Sequence, residues 1–182
     1  MKFHKLIWFT LFLCFIFPST SIGKEKFRSI NFPASAICLA RNMYFEARNQ
    51  GTAGIIAVTA VVLNRVKDKN FPNTVCEVVK EGPIRESWKT RNKHVWLSTF
   101  RKYYPIKHRC QFSWYCDGKT DNPKDKKLFE KFLKLAKIIL TNQISLIDIT
   151  DGALYYHADT INPRWSKTKK RTAKINNHIF YR

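Results

Sequence analysis

The chain has 182 residues and a formal net charge of +20, from 33 Lys and Arg against 13 Asp and Glu. One domain is the expectation at this length, and a hydrophobic share of 45% excludes a disordered polycation. Such a charge points to a polyanionic partner (nucleic acid, an anionic membrane or an acidic wall polymer) without choosing among them.

Residues 1–23, MKFHKLIWFTLFLCFIFPSTSIG, place Lys2 and Lys5 before an apolar run of 12 residues, Leu6 to Phe17, with small polar residues after it. This is the pattern of a secretory signal peptide cut after Gly23. The apolar run is short for a bilayer span of ~20 residues, which leaves retention as an N-terminal anchor as the alternative. Cys14 follows Leu13 rather than a small residue, which argues against a lipoprotein signal. Export to the periplasm or the extracellular space is therefore expected. The mature chain keeps a charge of +18, because only Lys2 and Lys5 are lost. Nucleic acid is a poor partner there and an anionic cell envelope a good one. Four cysteines remain, Cys38, Cys76, Cys110 and Cys116. An even number in an oxidising compartment suggests disulfides, with three connectivities open. The spacing of Cys110 and Cys116 does not suit a zinc knuckle, and His157 and His178 stand in no metal-ligand pattern. No metal and no cofactor is expected.

After a polar lead-in at residues 24–35, a single domain is expected over 36–182. Its first helix starts with Pro33 in the first turn or Ser35 as cap, runs to about Asn49, and is closed by Gly51. Ile37, Ala40, Tyr44 and Ala47 recur at helical intervals, and Glu46 lies at the margin of that apolar face. Thr52 to Lys67 reads as a buried helix, because its β-branched run is about twice the length of an ordinary strand. Asn64 is its polar intruder. Asn73 or Thr74 caps a short helix reaching Glu81, ended by Gly82 and Pro83. Residues 83–109 read as a long, irregular, basic loop carrying Trp88, Trp96, Phe100, Tyr103 and Tyr104, suited to stacking on sugar rings or bases alike. A turn at Asp117–Gly118 follows. Asn122–Pro123 opens an amphipathic helix, Lys124 to Thr141, with a core face of Leu128, Phe132, Leu135, Ile138 and Ile139. The last forty residues read as loops and short strands, with Asn176–Asn177 as a hairpin turn.

Glu46 stands out among the acids. Met43, Tyr44, Phe45 and Ala47 are its neighbours in sequence. Burial against such groups disfavours the ionised carboxylate, raises its pKa and leaves a proton to donate near neutral pH. Glu77 and Glu81 sit on a short, partly wet helix, and Asp117 and Asp151 precede glycines as turn residues. The competing reading of Glu46 is a helix-surface acid paired with Arg41 or Arg48.

Six segments occur in order: LARNMYFEARNQGTAGIIAVTAVVLNRV, FPNTVCEVV, CQFSWYCDG, ALYYH, NPRW and HIFYR. Together, from about Ala36 to Tyr181, they resemble the cell-wall hydrolase family typified by the spore-cortex-lytic enzyme SleB, and in particular its secreted, cysteine-bearing branch. The resemblance implies an α+β, mainly helical domain similar to lysozyme and lytic transglycosylases, with short β-hairpin elements. It implies cleavage of peptidoglycan glycan strands between N-acetylmuramic acid and N-acetylglucosamine. It puts the family's catalytic glutamate on Glu46. One acid suits the lytic transglycosylase route, whereas an ordinary glycosidase needs two carboxylates ~5–10 Å apart. Gln111 and Ser113 are then candidates to bond N-acetyl groups, Phe112 and Trp114 to stack on sugars, and Tyr155, Tyr156 and His157 to hydrogen-bond the glycan. Asn64 is a candidate support for Glu46. The sequence departs from the family at Asn176, where glycine is frequent, and in the longer 83–109 loop. The alternatives are a non-catalytic secreted wall-binding module and a two-carboxylate hydrolytic lysozyme, with a cytoplasmic nucleic-acid binder further off. A monomer is expected.

Overall fold

The computed structural model describes residues 33–91 and 100–182. The expected signal peptide, the lead-in up to residue 32 and Trp96 lie outside the described residues. Helix α1, Ala34–Ala47, begins after Pro33, whose extended backbone serves as the cap residue. Its face of Ala36, Leu39, Ala40 and Met43 is wholly buried. Small side chains on that face let α5, α2 and α3 pack around it. The helix stops at Ala47, earlier than expected, and the turn Arg48–Gln50 leads directly into α2, Gly51–Lys67. Gly51 sits at φ +62, a left-handed conformation open to glycine, so it opens the second helix as well as ending the turn. Val58, Val61 and Val62 of α2 are fully buried, and a helix is indeed what this β-branched run forms.

Thr74 caps α3, Val75–Val79, by accepting the Glu77 N–H. A disulfide between Cys38 and Cys76 ties α3 to α1. The segment expected to be irregular is partly ordered. Strand β1, Ile84–Glu86, pairs antiparallel with β2, Tyr103–Pro105, and a short helix α4, Trp88–Arg91, lies between them in sequence. Cys110 and Cys116 close a second disulfide around a 3-10 turn, Ser113–Cys116. Helix α5, Lys126–Leu140, starts after Asp125 rather than Asn122, because the Asp125 carboxylate accepts the Leu128 N–H at 2.9 Å. It lays Phe132, Ala136 and Ile139 on the α1 core.

The C-terminal part is a three-stranded antiparallel sheet. Strands β3, Tyr155–Ala158, β4, Arg171–Ile175, and β5, His178–Tyr181, lie in the order β3-β5-β4. Asn176 turns β4 into β5 at φ 49, so the asparagine turn forms where the family often has glycine. The Asn176 side chain donates to the Gln50 carbonyl, pinning the hairpin to the α1–α2 turn. Phe180 and Ala153 meet Ala57 and Val61 of α2 in a second small core. The architecture is α+β and mainly helical, with two short β elements. Among the described residues no helix is long and apolar enough to cross a membrane.

Candidate active site

Glu46 lies in the last turn of α1 and is partly buried. Its sequence neighbours do not surround it, because adjacent helical residues point to different sides. Tyr44 packs edge-on against Phe129 at 6.3 Å, and Phe45 stacks on Trp114 at 4.9 Å. The group that meets Glu46 comes from β3: the Tyr156 hydroxyl donates to Glu46 Oε2 at 2.9 Å. Burial raises the Glu46 pKa above the ordinary carboxylate value, and the Tyr156 bond pulls it back part of the way. Burial, together with the adjacent Glu46 charge and hydrogen bond, holds the Tyr156 phenol well above its usual range. Tyr156 is thus a donor that keeps its proton. Neither arginine considered as a partner pairs with Glu46. Arg48 lies over the Tyr44 ring at 4.9 Å, and no ion pair to Glu46 occurs among the described residues.

A cavity of about 550 Å³ opens beside Glu46. Gln111, Ser113, Tyr155, Tyr156 and His157 line it, as the sequence leads one to expect. Phe112 and Trp114 do not. Phe112 is 2% exposed and Trp114 8%, both in the core, with Trp114 Nε1 donating to Asn42 Oδ1 at 3.1 Å. They lie behind the wall rather than on it, since Phe112, just before the 3-10 turn, and Trp114, within it, are buried while Gln111 and Ser113 are exposed. Asn64 is also placed differently. Its amide donates to Asp148 Oδ2 at 2.8 Å and to the Ala153 carbonyl at 3.2 Å, so it anchors the approach to β3 and does not bond Glu46. His157 lines the cavity with both ring nitrogens engaged, Nδ1 with the Ala158 carbonyl at 2.8 Å and Nε2 with the Tyr181 hydroxyl at 2.9 Å.

The structure adds Arg65, Arg109, Trp165, Lys169 and His178 to the lining. Arg65 is only 4% exposed, and its Nε donates to the Leu154 carbonyl at 2.7 Å. Its Cζ lies 5.0 Å from the Phe71 ring centroid and 5.3 Å from that of Phe112. Burial lowers its pKa. His178 keeps Nδ1 buried without a hydrogen-bond partner, and burial lowers its pKa, which favours the neutral ring. An arginine inside an otherwise apolar helix was the available signal for Arg65. His178 was visible as a histidine but not as a neighbour of Tyr156, whose ring it meets at 5.1 Å.

Among the described residues Glu46 is the only carboxylate that lines the cavity. Asp148 is occupied by Thr150, Gly152 and Asn64. Asp117 accepts the Lys119 N–H at 2.7 Å, and Asp151 sits in a turn at φ 54. Among the described residues no group of three or more His, Cys, Asp and Glu is arranged to hold a metal ion. Chemically, the site combines one proton-holding acid, one fixed phenol donor, several amide and hydroxyl groups, and cations.

A family model described as cell wall hydrolase matches residues 49–181, a span that begins just past Glu46. The chain is 30% identical over 146 residues to a spore cortex-lytic enzyme of Bacillus cereus, covering 78% of this chain and 42% of the relative. It is 28% identical over 143 residues to a spore cortex-lytic enzyme of Oceanobacillus iheyensis, covering 78% of this chain and 39% of the relative. The chain thus spans about two-fifths of the length of the curated relatives it matches. Among solved structures, the catalytic domain of the Bacillus cereus SleB protein shares 28% identity at a TM-score of 0.47, over 84% of this chain and 93% of that one.

Proposed function

Because the chain belongs to the cell wall hydrolase family, we propose that it cuts the glycan strands of peptidoglycan between N-acetylmuramic acid and N-acetylglucosamine, with Glu46 as general acid and base. The observation that carries the assignment is Glu46 itself: a partly buried carboxylate with a raised pKa, held by Tyr156 and, among the described residues, alone of its kind on the cavity wall. A raised pKa leaves a larger share of the acid form at neutral pH, which is what a leaving glycosidic oxygen requires. With Oε2 accepting from Tyr156, the proton to be delivered rests on Oε1.

The steps balance with one acid. Glu46 passes its proton to the bridging oxygen as the bond from muramic C1 breaks. The resulting carboxylate then takes the proton of the muramic C6 hydroxyl while O6 closes on C1, giving a 1,6-anhydro end and restoring the acid. No second carboxylate and no attacking water are needed, which favours this lytic transglycosylase route over a two-carboxylate hydrolysis. Gln111 and Ser113 in the cavity lining offer amide and hydroxyl groups to N-acetyl substituents, and Tyr155 offers ring surface to a sugar. The expected signal peptide and the basic surface fit an exported enzyme acting, as a monomer, on an anionic envelope.

A digest of purified walls, analysed by mass spectrometry, tests this. Wild type should release 1,6-anhydromuramic ends, and Glu46→Gln should release none while still binding walls. Reducing muramic ends would replace transglycosylation by hydrolysis. Equal release by both proteins would remove Glu46 from the chemistry, and binding without any release by wild type would leave a wall-binding module.

A further inference from the structure

Three cations line the cavity beside its single carboxylate: Arg65, Arg109 and Lys169. None of them forms an ion pair among the described residues. Elsewhere in the sheet region a lysine does find its acid, since Lys174 Nζ lies 3.0 Å from Asp159. Lys169, a half-buried residue, instead places its ammonium over the Tyr155 ring, 4.1 Å from the centroid. Arg65 approaches that ring from within the fold, with Cζ at 5.8 Å. Its Nη1 is buried with no hydrogen-bond partner among the described residues. Glu81 is close enough to favour the Arg65 charge, but it closes no ion pair and does not line the cavity. Arg65, 4% exposed, is removed from water without an ion pair among the described residues, Lys169 is half-buried and Arg109 is exposed; cations gathered around one cavity in this way point to an anion supplied from outside.

In a glycan strand of the kind assigned above, the sugar rings and their N-acetyl groups are neutral. The negative charge lies on the substituent at O3 of the muramic residue, either as the free lactyl carboxylate or as the carboxylates of a peptide stem. We propose that Lys169 and Arg109, backed by the fixed charge of Arg65, form a carboxylate subsite that selects muramic residues by the charge of their O3 substituent. The subsite gives the enzyme a reason to prefer muramic-containing strands over neutral N-acetylglucosamine polymers of the same backbone. It rests on the glycan-cutting reading, and Lys169 is its specificity-determining residue.

The test compares three substrates: peptide-free strands with free lactyl carboxylates, the same strands with those carboxylates capped as methylamides, and strands carrying peptide stems. For wild type, capping should raise KM about tenfold or more with little change in kcat, the signature of a lost binding contact. In Lys169→Met the ratio of kcat/KM between free and capped strands should fall to about one, and Lys169→Arg should restore it. Arg109→Gln should reduce the same ratio. Peptide-bearing strands that match the free ones assign the stem carboxylates to the subsite as well, and ones that match the capped strands assign the lactyl carboxylate alone. Equal KM for free and capped strands in wild type, or an undiminished preference in Lys169→Met, overturns the subsite and leaves the cutting activity standing. If wild type cuts none of the three strands, the glycan-cutting reading falls and the subsite falls with it.

Discussion

Glu46 and Tyr156 are 110 residues apart and joined by one hydrogen bond of 2.9 Å. That bond acts on two properties of the acid at once. It fixes Oε2, which leaves Oε1 to face the substrate, and it stabilises the ionised form, opposing the upward push of burial. Its removal has a definite sign. In Tyr156→Phe the lowering influence is lost while burial stays, so the Glu46 pKa rises further. Proton donation needs the acid form, so the high-pH limb of kcat/KM should move to more alkaline pH. At the same time kcat should fall about tenfold or more, because the carboxylate is no longer oriented. A pH–rate profile of the variant checks both effects, and a limb that stays in place or moves toward acid would separate Tyr156 from the titration of Glu46. The acid was legible in the sequence from its apolar helix. Its actual surroundings were not, because Tyr44 and Phe45 point to other sides and the partner arrives from a strand.

At the scale of elements, α1 and α5 were legible from periodicity that ran for several turns, and α2 from the length of its β-branched run. The ribbon of β1 and β2 was not, because strands of three residues are too short to show alternation. The roles within CQFSWYC were hidden for a related reason. From Gln111, through the extended Phe112, into the 3-10 turn, burial alternates between neighbours, so Gln111 and Ser113 reach the cavity while Phe112 and Trp114 enter the core. The cysteines were legible as a set, but their pairing required the fold. The two bridges differ in what they constrain. Cys38–Cys76 closes 38 residues of sequence separation and joins α1, which carries Glu46, to α3. Cys110–Cys116 closes only six, and Cys110 lines the cavity. Loop-closure entropy makes the first the larger contributor, at about 2–4 kcal/mol. Urea unfolding of Cys38→Ser/Cys76→Ser should show a loss of that order. Cys110→Ser/Cys116→Ser should lose less stability but more activity, since it loosens the loop that presents Gln111 and Ser113. The opposite ranking in both measurements would mean that the short bridge, and not the long one, holds the helices together.

For the molecule as a whole, the charge of +20 acts at a different range from the site. On the proposed reading the cavity cations meet one glycan strand, whereas the surface lysines and arginines create a field expected to gather the protein onto an anionic wall before any bond is positioned. Such a field is screened within ~8 Å at physiological salt and ~3 Å at 1 M. Contacts inside the cavity are screened much less. The two contributions can therefore be separated with Glu46→Gln, which should bind walls without consuming them. Its affinity for purified walls should fall about tenfold or more between 0.05 and 0.5 M salt. Over the same range, single-turnover rates of wild type on saturating short strands should change less than about threefold, because chemistry in the occupied cavity does not depend on the long-range field. Wall affinity that ignores salt would show that the basic surface does not recruit the enzyme, and recognition would then rest on the cavity alone.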